Sequence, residues 1–144
     1  MDARQVADRI HSASIHVLRR AAEVDREGGI TSARLSALSV AVYRGPLSVG
    51  ALAEAERVRS ATMTGIVNGL EADRLVRRRA YASDRRTVLV EATAKGRRAL
   101  EAARMRRLAV IAERLCDLSS AELAELATAA ELLDSRFAPP RPEA

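Results

Sequence analysis

The sequence predicts a mainly α-helical fold that is interrupted once, past its middle, by a short β-hairpin. Three observations carry this expectation. Apolar residues recur at three- and four-residue spacing through most of the 144 residues. Between Leu75 and Glu91 that spacing gives way to short β-like segments around the turn-forming pair Ser83-Asp84. Hydrophobic residues make up 48% of the chain and charged ones 30%, a balance that favours a folded helical protein over a disordered one. The length suits a single domain over residues 1–144, with a core that a partner subunit could complete.

Each element has a local cause. Val6, Ile10, Val17, Leu18 and Val24 mark a long first helix, ended by Gly28-Gly29. Thr31 can cap a second helix carrying Leu35, Leu38 and Val42, which should stop near Gly45-Pro46 because proline disfavours helical geometry in the residue before it. Ser48 offers a cap for a short third helix, VGALAEAE, and Ser60 for a fourth that runs to about Arg74. On that fourth helix Met63, Ile66, Val67 and Leu70 form the apolar stripe, leaving a small, polar outer face. Leu75 to Tyr81 and Thr87 to Glu91 are the expected strands. Thr93 begins a fifth helix with Leu100, Leu108, Ile111, Leu115 and Leu118 on nearly one side. Ser119 and Glu122 make a capping box for a sixth, striped by Leu123, Leu126, Leu133 and Phe137; the Pro-rich end, 138–144, reads as a flexible tail. The stripes on the first and last two helices read as core or as a subunit seam.

Composition narrows the function. A net charge of +5 and a pI near 10.5 point to a polyanionic partner. The N-terminus, MDARQVADRI, is charged from the start and no stretch is long and apolar enough to span a bilayer, so a cytoplasmic protein with no membrane partner is expected. The lone Cys116 fits a reducing compartment, and its apolar neighbours Leu115 and Leu118 predict a buried, inert thiol. Tyr43, Tyr81 and Phe137 are the only aromatic residues, too few for the stacking platforms that hold single strands. His11 and His16, five apart, diverge by about 140° on a helix and cannot easily share a metal. No phosphate loop, carboxylate pair or nucleophile with its base stands out, so neither an enzyme nor a cofactor is expected.

A short helix, a tight turn and a second helix form a helix-turn-helix, whose second helix can present its N-terminal side chains to base edges in the major groove. Ser60, Thr62, Thr64 and Asn68 supply hydrogen-bonding groups there, and Asn68 could pair bidentately with adenine. Arg57 and Arg59 sit where a helix N-terminus attracts phosphate. The arginine run Arg77 to Arg79, Arg78 above all, is expected to contact nucleic acid, and the hairpin tip, Asp84-Arg85-Arg86, would carry guanidinium groups into an electronegative minor groove. Asp84 itself should orient an arginine such as Arg78, or cap the turn.

The segments LSVGALAEAERVRSATMTGIVNGLEADRLVRRR and SDRRTVLVEATAKGRRAL resemble the MarR (multiple antibiotic resistance regulator) family of bacterial transcription factors, closely over about residues 30 to 100. The resemblance implies a homodimeric winged helix-turn-helix regulator of double-stranded DNA. Residues 30–92 would form the DNA-binding lobe, and 1–27 with 94–137 the interlocking dimerisation helices. Carried over by position, Ser60, Thr62, Thr64, Gly65 and Asn68 belong to the reading helix, and Asp84 and Arg86 to the wing. It implies a repressor on an inverted-repeat operator, and many members release DNA when a small phenolic or other aromatic ligand binds; it names no effector residues here. Two positions depart from the pattern. Arg57 stands where the turn is often glycine, so a left-handed backbone there would cost on the order of 1 kcal/mol. Gly65 stands where many relatives carry a long basic side chain, which implies fewer arginine contacts to guanine. Two alternatives follow from the residues: a ligand- or partner-binding helical dimer with non-specific or architectural DNA binding, and a redox sensor acting through Cys116.

Overall fold

The structure, a computed structural model, describes residues 1–84 and 86–138; Arg85 and most of the expected tail lie outside them. The elements run α1 (Ala3–Glu27), α2 (Ser32–Tyr43), β1 (Leu47–Ser48), α3 (Val49–Glu56), α4 (Ser60–Ala72), β2 (Val76–Ala80), β3 (Val88–Ala92), α5 (Ala94–Leu115) and α6 (Ser120–Phe137). This is the expected mainly helical order with its hairpin. One strand was not foreseen: β1 pairs antiparallel with β3, Leu47 opposite Val90, so the sheet has three strands in the order β1-β3-β2. Two residues are too few for any periodicity to show.

The chain forms two compact units, Met1–Ala109 and the segment from Val110 onward. In the first, Leu38 of α2, Leu52 of α3, Met63, Val67 and Leu70 of α4, and Val76 and Val90 of the sheet are almost wholly buried and form one core with Leu100 and Ala103 of α5. Burial on this scale is what holds short helices in place, at roughly 1.5–3 kcal/mol for each large apolar side chain. The second unit holds the end of α5 and all of α6, in which no side chain is buried.

Caps account for most boundaries. The hydroxyls of Thr31, Ser48 and Ser119 each accept a backbone N–H of the helix they precede, as expected, and Glu122 completes the capping box. Ser119 also holds the Glu122 carboxyl below its usual range by donating to it. The expected cap of α4 needs correction: Ser60 is already helical, and Arg59, extended at φ −68° and ψ 147°, occupies the cap with no side-chain hydrogen bond. A guanidinium has no acceptor to offer. At the other ends, α1, α3 and α4 close with the same pair of bonds. After α3, the Val58 N–H meets the Ala53 carbonyl at 3.0 Å and the Arg57 N–H the Glu54 carbonyl at 3.1 Å. Such closure needs a left-handed residue. Gly29 supplies it after α1, but Arg57 (φ 54°) and Arg74 (φ 60°) supply it after α3 and α4. Close approach matters once more, at Gly96, where a Cβ would lie 2.1 Å from the Leu75 carbonyl oxygen.

Candidate nucleic-acid interface

The burial of Met63, Val67 and Leu70 decides which face of α4 looks outward. Ser60, Thr62, Thr64, Gly65 and Asn68 are all exposed, so the five expected reading positions share one open surface. Gly65 lies flat in it, with nothing within 4 Å of a notional Cβ. Thr64 donates its hydroxyl proton to the Ser60 carbonyl at 2.9 Å and is left with an acceptor and a methyl group to present. The uncapped first turn leaves backbone N–H groups open at the end of the helix where Arg57 and Arg59 stand exposed.

The hairpin projects beyond the core. Its register runs from Val76 opposite Ala92 to Ala80 opposite Val88, and the Tyr81 backbone N–H donates to the Thr87 carbonyl at 2.9 Å to extend it. At the tip, Asp84 accepts from the Arg86 backbone N–H at 2.9 Å and from the Thr87 hydroxyl at 3.0 Å. Of its two expected roles Asp84 takes the turn cap. The pairing with Arg78 does not form, because β2 directs Arg78 back toward α4. Arg86 is exposed beside the turn. Lower on the ladder, Arg77 bridges to Glu91 directly opposite at 2.8 Å and holds that carboxyl below its ordinary range.

Arg78 ties the two halves of this surface together. Its backbone N–H donates to Glu71 Oε1 at 3.0 Å, its Nη1 to Glu71 Oε2, and its Nη2 to Asn68 Oδ1 at 2.7 Å. Hydrogen bonds from Arg78, the backbone one foremost, keep the Glu71 carboxyl below 4.5. Sequence reasoning missed Glu71, although an acid three residues after Asn68 and shortly before an arginine run was a usable signal. It also missed Arg34, whose guanidinium reaches Asp73 at 2.6 Å and ties α2 to the end of α4.

A second feature lies away from this surface. A cavity of about 300 Å³ opens between α1, α2 and α5, lined by Leu18, Ala22 and Asp25, by Ser32, Leu35, Ser36 and Ser39, and by Leu100 and Arg107. Asp25 is only 2% exposed. Its Oδ2 accepts from the Ser32 hydroxyl at 3.2 Å, whereas Oδ1 faces Arg107 Nε at 3.4 Å without a well-aligned hydrogen bond. Asp25 closes an apolar stripe on α1, and nothing in the local pattern set it apart. Cys116 departs from expectation: it is exposed, in the turn just past the end of α5, and its apolar neighbours Leu115 and Leu118 are themselves only half-buried. Its Sγ lies 3.6 Å from Asp117 Oδ1. Among the described residues no cluster of His, Cys, Asp and Glu could hold a metal ion, and no helix is long and apolar enough to cross a membrane.

Known proteins resemble this chain in sequence and fold. The MarR family model matches residues 30–88. A protein of Mycobacterium leprae named as an uncharacterised HTH-type transcriptional regulator is 33% identical over 135 residues, 92% of each chain. A MarR family protein from Bacillus stearothermophilus superposes with a TM-score of 0.77 at 23% identity, over 96% of this chain and 99% of that one. A point mutant of MepR from S. aureus, bound to an oligodeoxyribonucleotide, superposes at 0.72 and 20% identity, over 90% of this chain and 96% of that one. The match of sequence and of winged-helix architecture places this chain in the MarR family of DNA-binding transcriptional regulators.

Proposed function

We propose that the chain acts in the cytoplasm as a homodimeric repressor that occupies a near-palindromic operator. Residues 30–92 form its DNA-binding lobe, and residues 1–27 and 94–137 its dimerisation helices. The observation that carries the reading is the open polar face of α4 standing beside an arginine-bearing hairpin. In this reading α4 enters the major groove and turns Ser60, Thr62, Thr64, Gly65 and Asn68 to the base edges. Arg57 and Arg59 meet phosphates at its N-terminus. The wing tip, with Arg85 and Arg86, enters the minor groove. Dimerisation is supported by the apolar side chains left exposed on α1 (Val6, Val17, Leu18) and on α6 (Leu123, Leu126, Leu132, Phe137). The solved complex of the S. aureus MepR mutant with DNA supports the choice of ligand. Two-fold symmetry sets the half-sites about one helical turn, roughly 34 Å, apart. Nuclease protection by the purified dimer tests this: two protected half-sites on one face of a duplex are expected, and protection that ignores sequence would contradict it.

The cavity between α1, α2 and α5 supports a finer step, release of DNA by a small aromatic ligand. Its size suits a compact ligand, with Leu18, Leu35 and Leu100 to pack against it and Asp25, Arg107 and the serines to orient it. Release requires that the ligand bind the DNA-incompetent arrangement more tightly, so operator DNA must weaken the ligand by the same factor as the ligand weakens DNA. Titrating candidate ligands with and without operator checks that equality. A ligand with equal affinity in both titrations is not an effector.

A further inference from the structure

We propose that Asn68 reads its base pair as a hydrogen-bond donor alone, because Arg78 holds its carbonyl oxygen, and that the base it selects is guanine. This rests on α4 being the base-reading helix. A free asparagine amide offers one acceptor and one donor side by side, the pattern that matches the N6 and N7 edge of adenine. Here the acceptor is engaged. A guanidinium only donates, so the amide oxygen must face Arg78 and the NH2 group must face away from it. The bond is 2.7 Å long, and Arg78 is itself anchored, through its backbone N–H and its Nη1, to the two carboxylate oxygens of Glu71. The backbone beneath it is fixed as well, since Arg78 lies opposite Val90, which is fully buried.

What remains for DNA is an exposed NH2 with two hydrogens and, among the described residues, no partner. Guanine answers it with two adjacent acceptors, O6 and N7, in the major groove; adenine offers N7 but sets its own N6 donor beside it, and thymine offers O4 alone beside its methyl group. Arg78 therefore acts as a positioning residue. Its charge is matched by Glu71, and its effect on DNA is to choose which half of the Asn68 amide is shown.

The test is selection from a randomised duplex library by four full-length proteins: the unaltered chain, Asn68→Ala, Asn68→Asp and Arg78→Ala. The base pair whose preference flattens in Asn68→Ala is the one Asn68 reads, and guanine is expected there in the unaltered protein, by about 5- to 150-fold over adenine. Asn68→Asp keeps the bond to Arg78 but presents only an acceptor, so its preference should move to cytosine or adenine, the bases with an exocyclic amine. Arg78→Ala frees the amide and should move the same position toward adenine, leaving the other positions unchanged. Adenine in the unaltered protein, or an enriched site that Asn68→Ala does not change, overturns the proposal and leaves α4 as the reading helix. If Arg78→Ala fails to fold, Asn68→Asp decides alone, and an unmoved preference overturns the proposal. Absence of any enriched site overturns both this inference and the reading on which it rests.

Discussion

Arg57 holds a left-handed backbone, φ 54° and ψ 41°, in the turn between α3 and α4. For a residue with a Cβ this costs on the order of 1 kcal/mol, and glycine would remove the cost while giving some of it back as unfolded-state entropy. An exposed guanidinium one turn from the start of α4 is what the strain retains. Arg57→Gly is therefore expected to raise stability by up to about 1 kcal/mol in urea unfolding, and to weaken DNA binding with a salt slope lower by about 1. A variant that lost stability, or bound DNA unchanged, would contradict this division of roles. Gly96 is the opposite case. Its missing Cβ leaves room for the Leu75 carbonyl, so Gly96→Ala should destabilise the chain by about 1–3 kcal/mol, seen as a lower midpoint in the same assay. At this scale the caps on Thr31, Ser48 and Ser119 were legible because capping chemistry is local. The bond between Asn68 and Arg78 was not, because the two residues are ten apart and meet only once the strand folds back on the helix.

Between elements, the decisive contact is Glu71 of α4 with Arg78 of β2. The Glu71 carboxyl titrates below 4.5 when folded, through hydrogen bonds from Arg78, and returns to about that value when the chain unfolds. A lowered folded-state value means that this stabilisation is complete above about pH 4.5 and is lost as the pH falls through the folded value. The stability difference between the unaltered chain and Glu71→Gln should therefore be present at pH 7 and vanish in acid. Thermal melts across that range check it, and a difference independent of pH would remove the ion pair from the account. The group is partly exposed, so the effect is modest. The helices and the hairpin were readable from periodicity and turn chemistry. The strand β1 was not, since its two residues are set by pairing with β3 and leave no pattern of their own. The cavity between α1, α2 and α5 was equally hidden, because a void follows from how helices pack and not from any one helix.

For the molecule as a whole, charge and exposed apolar surface make separate demands. A net charge of +5 per chain, with arginines at the start of α4 and on the wing, implies binding driven largely by counterion release. If a dimer neutralises about 6 to 10 phosphates, affinity should fall by about 10³ to 10⁵ between 50 and 200 mM salt, and a salt-independent complex would contradict the mechanism. The apolar residues exposed on α6 imply that Leu126→Glu should shift sedimentation toward the monomer and take operator affinity with it. The central claim is that a dimer reads one sequence twice. Selection of bound duplexes from a random library at about 150 mM salt, where non-specific contacts are partly screened, tests it most directly. One enriched inverted repeat with half-sites about ten base pairs apart is expected. A dimeric protein that enriches no sequence would contradict it.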